Sequence, residues 1–180
     1  MSTTDRHDTT ATAAALTAFY AQADTSGDGY LERKRAAGAA ANELAHAWSK
    51  VRFAVADARC VLDWGCRDGV FGWLTRHERG DDTALYGCDL VLPEQYATIH
   101  QAMGLLYAQL DHVWQLPFAD RSFDVVLAGG TLEHVANDGQ SLTELWRIMI
   151  PGGKLVITHL PNAGSLSEWL ARWRWPDHAH

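Results

Sequence analysis

The chain has 180 residues, of which 47% are hydrophobic, and a formal net charge of −7 at pH 7. This length suits one α/β domain with a substantial core, and the negative charge argues against a nucleic-acid backbone as the main partner. No apolar run approaches the length of a membrane span, so we expect no membrane segment and predict a soluble, cytoplasmic protein.

The cysteines at positions 60, 66 and 88 are odd in number and form no Cys-x-x-Cys pair. We therefore predict neither a metal site nor a disulfide framework, and interpret these residues as small apolar residues at or near strand ends. A reducing cytoplasm fits this pattern.

The N-terminal part of the chain is predicted to be helical after a short tail. Residues 1–10 are polar and Thr-rich and are expected to be a disordered tail. Apolar spacing predicts helices over Ala11–Ala23 and Leu31–Val55, which together make an N-terminal helical unit, residues 11–55.

Between these helices, Asp24–Leu31 has the outline of a calcium-binding loop. Oxygen-bearing residues stand at the first, third and fifth positions, and Gly29 stands at the sixth. The last position needs a bidentate Glu, but Arg35 occupies it. We therefore predict an ordinary turn and no metal.

The next segment reads as a strand, a tight turn and a helix. The apolar run Cys60–Leu62 ends in Asp63, glycines follow at 65 and 69, and an apolar periodic stretch begins at Val70. This arrangement brings backbone N–H groups and a helix N-terminus to a ligand. An acid at the strand tip would repel a pyrophosphate and attract a cation.

A second acid ends the next predicted strand, Ala84–Asp89, which follows a crossover helix over Val70–Arg79. A carboxylate there can accept hydrogen bonds from both hydroxyls of a ribose. A cation at Asp63 together with a ribose at Asp89 suggests S-adenosylmethionine.

The segment Val61–Gly69 resembles the first motif of class I S-adenosylmethionine-dependent methyltransferases. Arg67 departs from that motif, which usually has glycine there. Helices before the first strand commonly cover the cofactor in this family, so the helical unit 11–55 is expected to be a lid; Tyr20 and Tyr30 are its candidate contacts, with core packing as the alternative.

A third strand is predicted over Leu105–Leu110, after a helix that runs from Pro93 to about Met103. The family usually has a polar residue after this strand that bonds the adenine amino group, and Asp111 and His112 both stand at that point. The resemblance thus implies cofactor contacts from Asp63, Gly65, Cys66, Gly69, Asp89, Leu90, Asp111 or His112, and Gly129.

The segment Leu116–Val126 resembles a Leu-Pro-Phe…Ser-Phe-Asp-Val-Val segment of small-molecule methyltransferases. Its nearly continuous apolar strand, Phe123–Ala128, suits the centre of a parallel sheet. His134 follows at the carboxyl end of this strand and is the candidate general base. Alternatively, Glu133 and His134 begin a helix and only orient the loop.

The C-terminal part is predicted to contain a helix over Asp138–Met149, a Pro-Gly-Gly turn and a fifth strand, Lys154–Leu160. Residues 163–180 are expected to form an amphipathic tail helix. The predicted fold is a Rossmann-like, doubly wound α/β core, residues 56–162, without the last two of the family's usual seven strands. The fifth strand would then be an exposed edge that the tail helix or a second subunit could cover. We predict a homodimer or other oligomer, with a fragment of a longer protein as the alternative.

Two functions follow from these features. The first is an S-adenosylmethionine-dependent methyltransferase that acts on an O, N or C nucleophile of a small molecule. The second is a non-catalytic, methyltransferase-like binding or scaffold protein, which the short C-terminus and Arg67 favour. An Arg67 side chain that fills the methionine pocket would support the second function.

Overall fold

The structure, a computed structural model, describes residues 3–22 and 38–159, together with Gly29 and Glu32. Its helices are α1 (Thr3–Gln22), α2 (Gly38–Val51), α3 (Val70–Arg79), α4 (Ala97–Ala102) and α5 (Asp138–Ile148). Its strands are β1 (Cys60–Trp64), β2 (Ala84–Asp89), β3 (Leu105–Gln109), β4 (Phe123–Gly129) and β5 (Met149–Thr158). Apart from Gly29, the predicted calcium-like turn lies outside the described residues, and so does the predicted tail helix.

The five strands form one sheet in the order β3-β2-β1-β4-β5, and every neighbouring pair is parallel. This order confirms the predicted Rossmann-like α/β fold. The chain leaves β1 toward one edge of the sheet and returns to β4 on its other side. Open sheets of this kind bind ligands at that switch point, beyond the carboxyl ends of the strands.

Each face of the sheet has its own apolar core, because successive strand residues point to opposite faces. In β4, Val125 and Leu127 join the core that contains the buried residues of α1, α2 and α3. Val126 and Ala128 join the opposite core, which α5 covers. The continuous apolar run of β4 therefore reflects an interior strand buried on both faces, as predicted.

The N-terminal boundary was predicted incorrectly. Helix α1 begins at Thr3, so residues 3–10 are helical and not a disordered tail. The low helix propensity of threonine is only a weak penalty against this.

Other boundaries also differ from the prediction, at Pro93 and at β5 most clearly. The segment after Pro93 begins as a 3-10 turn, and Tyr96 (φ −128°, ψ 16°) interrupts it before α4. Strand β5 begins at Met149, which pairs with Phe123, whereas Lys154 pairs with Val125. The residues between Met149 and Lys154 therefore form an irregularity within the ladder and not a free turn.

None of the helices in the described ranges is both long and apolar enough to cross a membrane.

Candidate active site

A cleft of about 360 Å³ lies at the carboxyl ends of β1, β2 and β4. It therefore occupies the switch point of the sheet. Its walls come from five segments. They are the end of β1 with the turn after it (63–68), the start of α3 (Val70 and Phe71), the end of β2 with its loop (89–91), the loop after β3 (Leu110 and Val113), and the end of β4 with its loop (129–131, 134–135). Sequence interpretation named six of these residues in advance: Asp63, Gly65, Cys66, Asp89, Leu90 and Gly129; His134, the candidate base, also lines the cleft.

The turn after β1 brings two loops so close that glycine is required. Gly65 has φ 73°, and its N–H donates to the Cys88 carbonyl across 2.8 Å. A Cβ at this position would overlap the side chain of Thr131, whose hydroxyl donates to the Trp64 carbonyl at 2.8 Å. Thr131, which the sequence analysis missed, thus joins the loop after β4 to the turn after β1.

Gly129 allows a similar close approach on the other side of the cleft. A Cβ there would overlap the ring of Phe71, a buried residue in the first turn of α3. Glycines at 65 and 129 therefore allow the Thr131 and Phe71 side chains to pack directly against the backbone of the cleft walls.

Asp63 gives the cleft a buried negative charge. Its side chain is 2% exposed, and its Oδ2 accepts from the Gly72 N–H in the first turn of α3 at 2.9 Å. The positive end of a helix stabilises a carboxylate there. Burial, together with the charges of Asp63 and Asp89, raises the pKa of the Cys88 thiol. This acidic environment fits a cationic ligand.

The carboxylate of Asp89 is fixed by two backbone amides at the end of β2. Its Oδ2 accepts from the Arg67 N–H at 2.8 Å, and its Oδ1 accepts from the Leu90 N–H at 2.6 Å. A carboxylate has about four acceptor positions, so these bonds leave capacity for further donors. The arrangement suits two vicinal hydroxyls of a ribose.

Arg67 has a left-handed backbone, with φ 46°. That conformation costs a residue with a Cβ roughly 1–2 kcal/mol, whereas glycine adopts it freely. The side chain is held toward α4, because its Nε donates to the Tyr96 hydroxyl at 3.1 Å. Arg67 thus lines the cleft on the side of β2.

Three predicted contacts are not among the described residues that line the cleft. Gly69 precedes α3 with φ 78°, and a Cβ there would lie 3.2 Å from the Met103 sulfur, so it faces the core. Asp111 and His112 are exposed, and His112 stacks on Trp114 with ring centroids 4.9 Å apart. The loop after β3 contributes its apolar residues to the cleft.

His134 ends a 3-10 turn after β4 and lines the cleft. Its side chain is 60% exposed, and its Nε2 lies 3.9 Å from Glu133 Oε1. The turn does not continue into a helix, since α5 begins at Asp138. An exposed imidazole at the mouth of the cleft can exchange a proton with both a ligand and solvent.

Helix α1 contacts the turn after β1 through Tyr20. The Tyr20 hydroxyl is buried and donates to Asp68 Oδ2 at 2.8 Å, and Asp68 lines the cleft. Tyr20 therefore packs in the core and supports the turn, and Tyr30 lies outside the described residues. No cluster of three or more His, Cys, Asp or Glu that could hold a metal occurs in the described part of the chain.

The sheet order and the acidic cleft at its switch point are those of Rossmann-like methyltransferases. A family model described as a methyltransferase domain matches residues 62–157, more than half of the chain, and the chain belongs to this family. The family implies S-adenosylmethionine as the cofactor.

Relatives of known function are similar over part of their length. The chain is 30% identical over 131 residues to the demethylmenaquinone methyltransferase of Deinococcus radiodurans, covering 71% of this chain and 49% of the relative. It is 32% identical over 117 residues to the malonyl-[acyl-carrier protein] O-methyltransferase of Erwinia billingiae, covering 63% and 43%. The chain thus spans about half the length of these relatives, or less.

Solved structures show the same fold. A putative S-adenosyl-L-methionine-dependent methyltransferase from Methanococcus maripaludis superposes with a TM-score of 0.56 at 17% identity. The match covers 73% of this chain and 63% of that one.

Proposed function

We propose that the chain binds S-adenosylmethionine in the cleft and transfers its methyl group to an oxygen, nitrogen or carbon nucleophile of a small molecule. The observation that carries this proposal is the carboxylate of Asp89, fixed by the N–H groups of Arg67 and Leu90. It stands in one cleft with the buried acid Asp63 and the exposed imidazole of His134.

The described residues fit the cofactor at both of its polar ends. Asp63 supplies negative charge for the amino group, and Asp89 accepts from the ribose hydroxyls. Gly65 and Gly129 allow the walls of the cleft to pack closely, because a Cβ at either position would collide with Thr131 or Phe71. When bound, S-adenosylmethionine supplies a methyl group activated by its sulfonium.

The chain contributes mainly position and proton removal to the transfer. Walls from five separate segments hold the reactants in one orientation, and orientation alone accelerates such reactions strongly. We assign to His134 the role of accepting the proton of the nucleophile, because its side chain is exposed at the cleft mouth. The alternative is a non-catalytic protein that binds the cofactor without transferring the methyl group.

Calorimetric titration with S-adenosylhomocysteine tests the cofactor site. Asp89→Asn should weaken binding by about tenfold or more, because an amide cannot accept from both backbone N–H groups and the ribose. Asp57→Asn is the matched control, since Asp57 is exposed and precedes β1 at the other end of the sheet. Equal affinity of the two variants would overturn the ribose role of Asp89.

Transfer of a labelled methyl group tests the activity. Demethylmenaquinone and malonyl-[acyl-carrier protein], the compounds that the relatives' names state, are the first acceptors to try. His134→Ala should lower kcat by about a hundredfold and leave cofactor affinity unchanged, whereas His112→Ala should change neither. Cofactor binding without transfer to any acceptor would favour the non-catalytic alternative.

We further propose that a second copy of the chain covers the outer edge of β5 and that the protein is cytoplasmic. Among the described strands β5 pairs only with β4, and exposed strand edges favour pairing with another chain. A monomer in light scattering at micromolar concentration would overturn the dimer.

The free thiols of Cys60, Cys66 and Cys88 suit a reducing compartment, which supports the proposed cytoplasmic location.

A further inference from the structure

The backbone of Arg67 is the least favourable part of the cofactor site. Its φ of 46° lies in the left-handed region, where a side chain is disfavoured. The N–H of this strained residue donates to Asp89 Oδ2 across 2.8 Å, so Arg67 is part of the site. The chain must therefore hold Arg67 in a conformation that glycine would adopt without cost.

Two buried residues from one segment hold Arg67 from the other side. The Arg67 carbonyl lies 2.8 Å from His100 Nε2, and the Arg67 Nε donates to the Tyr96 hydroxyl. His100, in α4, is 3% exposed, and Tyr96, just before α4, is 1% exposed. Together with the bond to Asp89, these contacts engage the N–H, the carbonyl and the side chain of Arg67.

The chemistry of the contact fixes the tautomer of His100. A carbonyl oxygen only accepts hydrogen bonds, so Nε2 carries the hydrogen. The other nitrogen, Nδ1, is buried and has no hydrogen-bond partner among residues 3–22 and 38–159. Burying such an atom is costly, and an apolar ring would avoid that cost. The imidazole of His100 makes one contact that an apolar ring could not make, the hydrogen bond to the Arg67 carbonyl. Burial lowers the pKa of His100 and keeps the ring neutral.

The same histidine is linked to the Asp89 side of the contact. Its ring stacks on Tyr107, with centroids 4.9 Å apart and planes inclined by 22°. The Tyr107 hydroxyl donates to the Val91 carbonyl at 2.6 Å and lies 3.2 Å from the Asp89 carbonyl. The stacked pair therefore braces both residues that form the Arg67–Asp89 hydrogen bond.

We infer that His100 is a positioning residue for the cofactor site. By donating to the Arg67 carbonyl, it keeps Arg67 in the left-handed conformation and holds the Arg67 N–H against Asp89. This role rests on the proposed function, in which Asp89 binds the ribose. His100 thus compensates for an arginine whose backbone conformation only glycine would adopt without strain.

A thermodynamic cycle tests this coupling. The affinity for S-adenosylhomocysteine is measured by calorimetry for His100→Gln and His100→Asn, each alone and combined with Arg67→Gly. Both substitutions remove the stacked ring, but only the Gln amide reaches the place of Nε2. Alone, His100→Asn should bind about tenfold more weakly than His100→Gln, and with Arg67→Gly the difference should fall below about twofold.

Each outcome decides the role of His100. Equal affinities of the two single variants would overturn it, and so would a difference that persists with Arg67→Gly, since His100 would then act without regard to the left-handed arginine. If His100→Asn unfolds, a folded His100→Gln variant together with a folded His100→Asn/Arg67→Gly double variant would support the role. If the unsubstituted chain does not bind S-adenosylhomocysteine, the proposed function itself fails; binding without coupling overturns only the role of His100.

Discussion

The Asp63 carboxylate accepts a hydrogen bond from the Gly72 N–H at 2.9 Å, and so joins the end of β1 to the first turn of α3. A residue expected to attract the ligand therefore also satisfies one of the unpaired amides at a helix N-terminus. The two roles can be separated, because an asparagine can still accept from Gly72 but carries no charge.

Asp63→Asn should weaken the binding of S-adenosylhomocysteine by about tenfold or more, since a charged partner of the amino group is lost. Asp124→Asn is the control: Asp124 Oδ2 accepts from the N–H groups of Arg59 and Cys60 at the opposite end of β1. We expect that variant to lose stability and keep its affinity. Calorimetry and urea unfolding measure both quantities, and a similar loss of affinity in both variants would contradict the charge role of Asp63.

Gly129→Ala tests the close packing at the cleft floor. A Cβ there would overlap the Phe71 ring, so we expect the free energy of unfolding to fall by about 1–3 kcal/mol. Gly139→Ala is the matched control, because its Cβ would meet no atom closer than 3.8 Å and the position lies in α5. Helix propensity predicts a gain of up to about 1 kcal/mol there. If urea unfolding gives the same change in the free energy of unfolding for Gly129→Ala and Gly139→Ala, the Phe71 ring moves aside at no cost.

Arg147 holds the loop before β4 against α5. Its guanidinium donates to the carboxylates of Glu144 and Asp120, each at 2.7 Å, and to the carbonyls of Leu116 and Phe118. Lysine cannot reproduce this planar set of donors. Because the group is about one third exposed, we expect Arg147→Lys to lower the free energy of unfolding by only about 1–2 kcal/mol.

Arg52→Lys provides the comparison for Arg147. Arg52 meets Glu78 at 3.5 Å in an exposed ion pair, and such pairs contribute about 0–1 kcal/mol. Unfolding in urea should therefore show a clearly larger loss for Arg147→Lys. If the two losses are equal, the loop does not depend on Arg147.

Two of the regular elements around the cofactor motif could be predicted closely from sequence. The bounds of α3 and β2 match the prediction, since glycines and acids mark their ends and apolar periodicity fills them. The irregularity at the start of β5 could not be predicted, because it depends on Met149 pairing with Phe123, a residue far away in the chain. Local turn residues alone favoured a simple turn there.

Within the site, sequence could predict the acids but not how the chain orients its loops. Asp63 and Asp89 end strands, and the ends of parallel strands meet at one edge of the sheet. Asp111 and His112 follow β3 in the same way, yet their side chains are exposed and apolar neighbours line the cleft. The supporting contact of His100 with Arg67 joins α4 to the turn after β1, and no local pattern marks it.

The pH dependence of stability should reveal the buried His100. Burial lowers its pKa, outweighing the bond to the Arg67 carbonyl and the charges of Asp68 and Asp89, which act to raise it. An unfolded histidine has a pKa of about 6.5, so below that pH the unfolded chain binds a proton that the folded chain does not. The free energy of unfolding should therefore fall as the pH decreases from about 6.5 toward the folded pKa, by about 1 kcal/mol per pH unit. His100→Gln should flatten this dependence in urea unfolding between pH 7.5 and 5.5, whereas His112→Gln, at an exposed position, should leave it unchanged. An unchanged slope in His100→Gln would mean that another group binds the proton.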